Sequence, residues 1–280
     1  MEQSLQARIR DCAEAMEGIQ VIALDRVRAL ASELGVSPKE VELAALEARV
    51  LPRRYLRSFG TVGWEGQIRL LRSTVAVVGL GGLGGNVVEG MARMGVGRLI
   101  VVDGDVFVDH NLNRQVLSAE AGLSMLKTEV ARARVAQING AVEVVAHPQE
   151  IAEGNLSRLL GEAEVVVDAL DRLPTRLMLQ EAAQEMGIPV VHGAIAGYLG
   201  QVMTIFPGDE GLRALYGGGS MPQQGIEVQL GCPAATPMMI AAWQVQEVIK
   251  ILLGQGQLLR HRMLFMDAEA GAVEILEIGS

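Results

Sequence analysis

The stretch Val77–Asn86 reads VVGLGGLGGN, with glycines at 79, 81, 82, 84 and 85 directly behind a β-branched run. Gly79, Gly81 and Gly84 make a G-x-G-x-x-G. Between a strand and a helix, that spacing aims several backbone N–H groups and the positive end of the helix dipole at an anion. Gly81 and Gly82 have no Cβ, so the backbone there can approach a phosphate closely. Asp103 follows Gly84 by 19 residues and closes a second apolar run, where a carboxylate can accept hydrogen bonds from a ribose. An adenosine-containing phosphate ligand is expected, but the loop alone does not say which. Downstream, DGDVFVDHNLNRQVL (103–117), Lys127 and ALDRLPTR (169–176) concentrate polar and cationic groups where a triphosphate would extend. A nicotinamide site would ask instead for an apolar slot and a proton relay.

These groups need strands and helices to hold them. TVAVVGL (74–80), GRLIVVDGD (97–105), VEVVAHP (142–148), VVVDAL (165–170), IPVVHGAI (188–195) and QVMTIFPG (201–208) read as strands. Helices are expected over 86–94, 123–138, 174–186 and 236–253, and LFMDAE with AVEILEI reads as a closing hairpin. Strands alternating with helices imply a mostly parallel, doubly wound α/β sheet with a mixed edge. A glycine-rich loop is expected around 215–225. Residues 1–50 read as an N-terminal helical arm, with Leu5, Ile9, Cys12, Ala13 and Met16 at helical spacing and Val21 to Leu34 continuing it. Gly35 stops that helix, and Ser37-Pro38-Lys39-Glu40 starts another through a capping box. The helix–turn–helix look of this arm suits packing or dimerisation better than DNA binding, because no basic recognition face accompanies it.

Half of the 280 residues are apolar and only 3 % are aromatic, so the core is expected to be Val, Ile, Leu, Ala and Met. The formal charge of −9, with no dense basic tract, argues against a nucleic-acid partner. No apolar run nears the roughly 20 residues that span a bilayer, and the charged, amphipathic start is no secretory signal, so no membrane role is expected. Cys12 and Cys232 cannot frame a disulfide scaffold in a chain this long, which suggests a reduced cytoplasm.

At the downstream motifs the chain resembles the ThiF/MoeB/HesA superfamily, bacterial relatives of ubiquitin-activating enzymes that adenylate the C-terminus of small sulfur-carrier proteins. RYLRSFGTVGWEGQIRLLRSTVAVVGLGGLGG resembles that family's Arg-Tyr-x-Arg, Gly-Gln and glycine loop in sequence. Asp103, Asp105, Asn111, Arg114 and Gln115 stand in the places of its D-x-D…N-L-x-R-Q, and Lys127 stands where it keeps a phosphate-binding lysine. Asp168-x-x-Asp171 with Arg176, GAIAGYLGQVMTIFPG and WQVQEVIKILLG match later stretches. The resemblance covers roughly residues 51–280, which it implies is a Rossmann-like, ATP-binding adenylation domain behind the arm of residues 1–50.

What the resemblance implies is attack of a carrier's carboxylate on the α-phosphorus of ATP, leaving an acyl-adenylate and pyrophosphate. Arg114 and Lys127 would neutralise the growing charge, and Arg57 would reach into the neighbouring subunit's site, which requires a homodimer. Asp171 would hold Mg²⁺, Asp103 the ribose, and Asp105, Asn111 and Gln115 the rest of the nucleotide, with Gly79, Gly81, Gly82 and Gly84 as its cradle. The partner implied is a small ubiquitin-like sulfur carrier ending in Gly-Gly, of molybdopterin or thiamine synthesis. Each residue also has a plain structural reading: Arg114 pairing with Asp105 at the surface, Lys127 as a solvated helix residue, Asp171 as the N-cap before Pro174, and Arg54 and Arg57 in a charged linker.

The chain departs from the pattern in places. Many members carry two C-x-x-C pairs around zinc; this chain has none, so no zinc is expected, and DEGLRALYGGGSMPQQGIEVQLG (209–231) reads as a flexible connection there. Cys232 lies nearer the long helix than the family's reactive cysteine and reads as a small buried residue. Arg172 and Ser58 replace the usual asparagine and glutamine, and His192 reads as a core or strand-end histidine. Two other functions compete: an NAD-dependent oxidoreductase, resting only on the glycine loop and Asp103, and a nucleotide-binding scaffold without activity.

Overall fold

The computed structural model describes residues 4–217 and 227–278. Its N-terminal part departs from the all-helical expectation. Helix α1 (Leu5–Asp11) ends, and Glu17 and Gly18, with φ of 52° and 78°, turn the chain back on itself. The flanking residues pair as β1 (Glu14–Met16) and β2 (Ile19–Ile22). A two-residue turn with positive φ at both positions matches strand twist, so the local turn overrides a helical spacing that was fortuitous. Helix α2 (Leu24–Leu34) stops at Gly35, and α3 (Pro38–Glu47) begins with the expected capping box of Ser37 and Glu40. Strand β3 (Leu51–Pro52) then pairs with β2, so the first residues beyond position 50 join the arm's own small sheet.

A buried polar knot fastens the arm to the rest. Glu42 on α3 is fully buried, accepts from the Tyr55 hydroxyl at 2.9 Å and pairs with Arg54 at 3.1 Å. Asn139 donates to the same hydroxyl at 2.9 Å. Burial pushes the Glu42 carboxyl up, and Arg54 and Tyr55 oppose it.

The remaining elements are α4 (Phe59–Arg72), β4 (Thr74–Val78), α5 (Gly82–Met94), β5 (Arg98–Val102), α6 (Lys127–Ile138) and β6 (Glu143–His147). After them come α7 (Leu156–Leu160), β7 (Val165–Asp168), α8 (Leu173–Glu185), β8 (Val190–Ala196) and β9 (Leu199–Ile205). The chain continues through α9 (Leu212–Tyr216), α10 (Glu227–Leu230), α11 (Ala235–Leu253), β10 (Arg262–Asp267) and β11 (Ala272–Glu277). The eight-stranded sheet has the order β6-β5-β4-β7-β8-β9-β10-β11, parallel from β6 to β8 and antiparallel beyond. This is the expected doubly wound, mixed sheet.

Alternation within the strands makes the layers. Val75, Val77, Leu99 and Val101 face one core with Val87, Val88 and Met91 of α5 and Ile240 and Val248 of α11. Ala76, Val78, Ile100 and Val102 face another with Leu159 of α7 and Leu179 of α8. The chain leaves β4 towards β5 and β6, then returns to β7 on its other side. Between the C-terminal ends of β4 and β7 lies the switch point, where doubly wound sheets leave a crevice.

Three details differ from expectation. Helix α5 begins at Gly82, so the glycine loop is already its first turn. Helix α6 begins at Lys127 because Ser124 takes a positive φ of 67° and residues 124–126 lie against 106–107: Ser124 N–H donates to Phe107 at 2.8 Å and Phe107 N–H to Met125 at 3.0 Å. The expected loop around 215–225 lies mostly outside the described residues, but α9 and α10 make part of the 209–231 connection helical. No helix among the described residues is long and apolar enough to cross a membrane.

Candidate functional site

The glycines divide by what surrounds them. A Cβ on Gly84 would overlap the carbonyl oxygen of Gly79, and one on Gly79, whose φ is 90°, would sit 2.6 Å from the carbonyl oxygen of Ala169. These two let α5 pack against the ends of β4 and β7. A Cβ on Gly81 would meet only Gln115 Nε2 at 3.7 Å, so its backbone borders open space at the start of α5. Gly82 lies between, 3.2 Å from Pro237 of α11 by the same measure.

Asp103, just past β5, ties this loop down. Its Oδ2 accepts from Leu80 N–H at 2.7 Å and its Oδ1 from Asp105 N–H at 2.8 Å. Lys127, at the start of α6, is buried, with Nζ 2.8 Å from Asp105 Oδ2 and 3.8 Å from Asp103 Oδ2. It is therefore not a solvated helix residue, and Asp105 pairs with Lys127 instead of Arg114. Burial pushes the Asp103 carboxyl up, against the pull of Lys127 and the two N–H donors.

The 106–117 segment brings the other expected groups alongside. Asn111 spends its Oδ1 on Val108 N–H at 3.1 Å. Arg114 donates to the His110 carbonyl and to Asn113 Oδ1, both at 2.9 Å. Gln115 is buried, and its Oε1 has no partner among the described residues, an unsatisfied acceptor beside the glycine loop. Cys232 is half-buried, with its carbonyl 3.4 Å from Asn113 Nδ2, and burial pushes its thiol up against the opposing charge of Arg114. A thiol raised in this way is poorly ionised.

Asp171 is exposed on the turn after β7, and Arg172, not Asp171, occupies the N-cap position of α8. Among the described residues no cluster of three or more His, Cys, Asp or Glu could cage a metal. Arg57 is not brought to the loop of its own chain: its side chain is 86 % exposed and pairs with Glu17 of the arm hairpin at 3.2 Å. Arg54 is structural, on Glu42.

His192, expected as a core or strand-end histidine, is buried in β8 and has a charged partner. With Nε2 accepting from Gln201 at 3.2 Å, its Nδ1 carries the proton and donates to Asp168 Oδ2 at 2.7 Å. Arg176 bonds the carbonyls of Leu170 and, at 3.0 Å, Gly193. Gln244 of α11 donates to the Asp168 carbonyl at 2.9 Å. Burial pushes the Asp168 carboxyl up, but Arg176 and His192 outweigh it and hold it below the usual carboxylate range; burial also keeps His192 neutral. Asp168 and His192 are 24 positions apart, so no local spacing marked the pair. Asp168 and Arg176 stand in a stretch that resembles the family's, but nothing in the sequence joins them to His192.

A family model described as the ThiF family matches residues 53–280. The chain belongs to the ThiF family. It is 39 % identical over 210 residues to the SAMP-activating enzyme E1 of Haloferax volcanii, covering 74 % of this chain and 77 % of that one. It is 36 % identical over 217 residues to the sulfur carrier protein adenylyltransferase of Thermus thermophilus, covering 74 % and 79 %. With the adenylyltransferase and sulfurtransferase MOCS3 of Arabidopsis thaliana it shares 31 % over 283 aligned positions, which takes in 98 % of this chain, arm included, but only 58 % of the longer relative. The fold matches crystal structures of E. coli MccB, one with a TM-score of 0.71 at 21 % identity, covering 81 % of this chain and 72 % of that one. As a ThiF family member, the chain gives the glycine loop and Asp103 a setting that needs no nicotinamide.

Proposed function

We propose that the protein is an ATP-dependent adenylyltransferase that activates the C-terminal carboxylate of a small ubiquitin-like sulfur carrier ending in Gly-Gly. The observation that carries this is a glycine cradle, open at Gly81, lying beside buried Lys127 and the unsatisfied Gln115 at the switch point of a ThiF-family chain. The carrier belongs to molybdopterin or thiamine synthesis, in the cytoplasm.

The backbone N–H groups at the start of α5 receive phosphate oxygens, helped by the helix dipole. Asp103 accepts from the ribose with lone pairs left over from its two backbone donors. Asn111 and Gln115 line the nucleotide, and Lys127 and Arg114 neutralise charge as the carrier carboxylate attacks the α-phosphorus and pyrophosphate leaves. Mg²⁺ would be held by Asp171 and the phosphates; one exposed carboxylate suits a hard cation that arrives on the nucleotide, and the ion would supply further charge neutralisation. Arg57, turned away from its own loop, completes the site of a second copy in a homodimer. With cysteines only at 12 and 232, no structural zinc is part of this reading.

ATP–pyrophosphate exchange with carriers ending in Gly-Gly tests the proposal. Exchange that depends on one such carrier supports it; ATP binding without exchange for any carrier would leave a scaffold, and NADH binding without ATP binding would overturn the reading altogether. Mixing Arg57→Ala with Lys127→Ala chains should restore part of the lost activity through hybrid sites, and a mixture that stays dead while both variants fold and dimerise excludes the shared site.

A further inference from the structure

Lys127 is gripped twice by one residue. Its backbone N–H donates to the Asp105 carbonyl at 3.0 Å, and its ammonium donates to Asp105 Oδ2 at 2.8 Å. Asp105 is itself fixed, since its N–H donates to Asp103 Oδ1 at 2.8 Å while Asp103 Oδ2 accepts from Leu80 in the glycine loop at 2.7 Å. Flanking them, Val106 and Leu126 form an isolated antiparallel bridge. The result is a continuous hydrogen-bonded line from the nucleotide loop, through two carboxylates, to the lysine.

An ammonium has three protons and no acceptor. Among the described residues only one of them reaches a hydrogen-bond partner, Asp105; Asp103 stands farther off at 3.8 Å. The Lys127 side chain is 7 % exposed, whereas that of Asp105 is 66 % exposed. A carboxylate that open to water contributes little to stability. Fixing one N–H direction also orients the other two.

We propose that Asp105 is a positioning residue: it holds the Lys127 ammonium so that the remaining protons face the phosphates over the glycine loop, and it contacts neither nucleotide nor metal itself. This rests on the adenylation reading and replaces the direct nucleotide contact expected of Asp105. Misplacing a charge-stabilising group by about 1 Å can cost about 10²-fold in rate. A nearby negative charge, by contrast, does nothing to help a triphosphate bind.

The test is a double-mutant cycle of Asp105→Asn and Lys127→Ala in the full chain, together with NMR of its lysine ammonium groups. The chain has three lysines, Lys39, Lys127 and Lys250, so the Lys127 signal is assigned by its loss in Lys127→Ala. Asp105→Asn should lower kcat for pyrophosphate exchange about 10- to 100-fold without raising KM for ATP, and should have no effect in the Lys127→Ala chain. It should also shift or broaden away the Lys127 ammonium signal while the melting temperature stays put. An equal loss in the Lys127→Ala chain, a raised Mg²⁺ requirement, or an unchanged ammonium signal would each overturn the proposal. If no carrier supports exchange in the wild-type chain, the adenylation reading fails, and the ammonium signal alone then decides whether Asp105 positions Lys127.

Discussion

Asp103 follows β5 and Asp168 ends β7, so an acidic group stands on either side of β4 at the switch point. Burial pushes both carboxyls up, yet they end on opposite sides of the ordinary range. At Asp168 the Arg176 guanidinium and the His192 N–H more than compensate, and the group stays ionised. At Asp103 one lysine, shared with Asp105, does not. The Asp168 cluster is closed around its charges: its acid, histidine and arginine satisfy one another and hold two carbonyls of the chain, and only the Gln244 amide oxygen at its edge lacks a partner among the described residues. The Asp103 cluster is left open, with a lysine short of acceptors, a buried amide oxygen without a donor and a helix start facing space. A closed polar cluster is the signature of support, and an open one of a place that a ligand completes.

That contrast can be broken in several ways. Lys127→Ala, on the open side, should cut pyrophosphate exchange on the order of 10³-fold, about 4 kcal/mol of barrier, with little change in the urea midpoint. Asp168→Asn, on the closed side, should do the reverse and lower stability by about 3–5 kcal/mol by leaving Arg176 buried without its counter-charge. A large loss of stability in the first, or none in the second, would erase the distinction.

The pH dependence sharpens it. Asp168 has a folded pKa below its unfolded one, so its contribution is present above the unfolded value and is lost as the pH falls through the folded value. Asp103 has a folded pKa above its unfolded one, so it favours folding only while protonated, and that contribution fades as the pH rises through the folded value. Urea titrations from pH 7 to pH 3 should therefore show the gap between wild type and Asp168→Asn narrowing on acidification. A gap that stays constant would mean the carboxylate charge is not what Arg176 depends on.

The glycines supply the next comparison. Gly84→Ala must displace the Gly79 carbonyl and should destabilise by about 1–3 kcal/mol or more. Gly81→Ala has room, so it should melt like wild type but bind ATP at least about 10-fold more weakly in calorimetry, because the lost close approach is worth about 1.4 kcal/mol or more. Smallest of all, Glu17→Ala should change stability by less than about 0.5 kcal/mol, since its pair with Arg57 is exposed.

Much of this site was legible in the order of the sequence. The strands of the sheet follow from period and composition, and the glycine spacing, Asp103 and Lys127 do fall together at the ends of β4 and β5. What escaped was non-local or depended on a turn. The β1–β2 hairpin turns on two backbone angles at Glu17 and Gly18, which a helical spacing of apolar residues conceals. The start of α6 depends on Ser124 and on strand-like contacts with Phe107. The partners of Lys127 and His192 are 22 and 24 positions away, and no window along the chain could join them.

The knot of Glu42, Tyr55 and Asn139 has a consequence for how the molecule is made. The arm is made before the sheet it packs on, yet its buried carboxylate lies in a polar group whose last member, Asn139, is synthesised 97 residues after Glu42. Until then the Tyr55 hydroxyl, already on Glu42, lacks the donor that completes it. The arm therefore reaches its final packing only when α6 has been completed, so the settling of α3 waits on a residue made long after it.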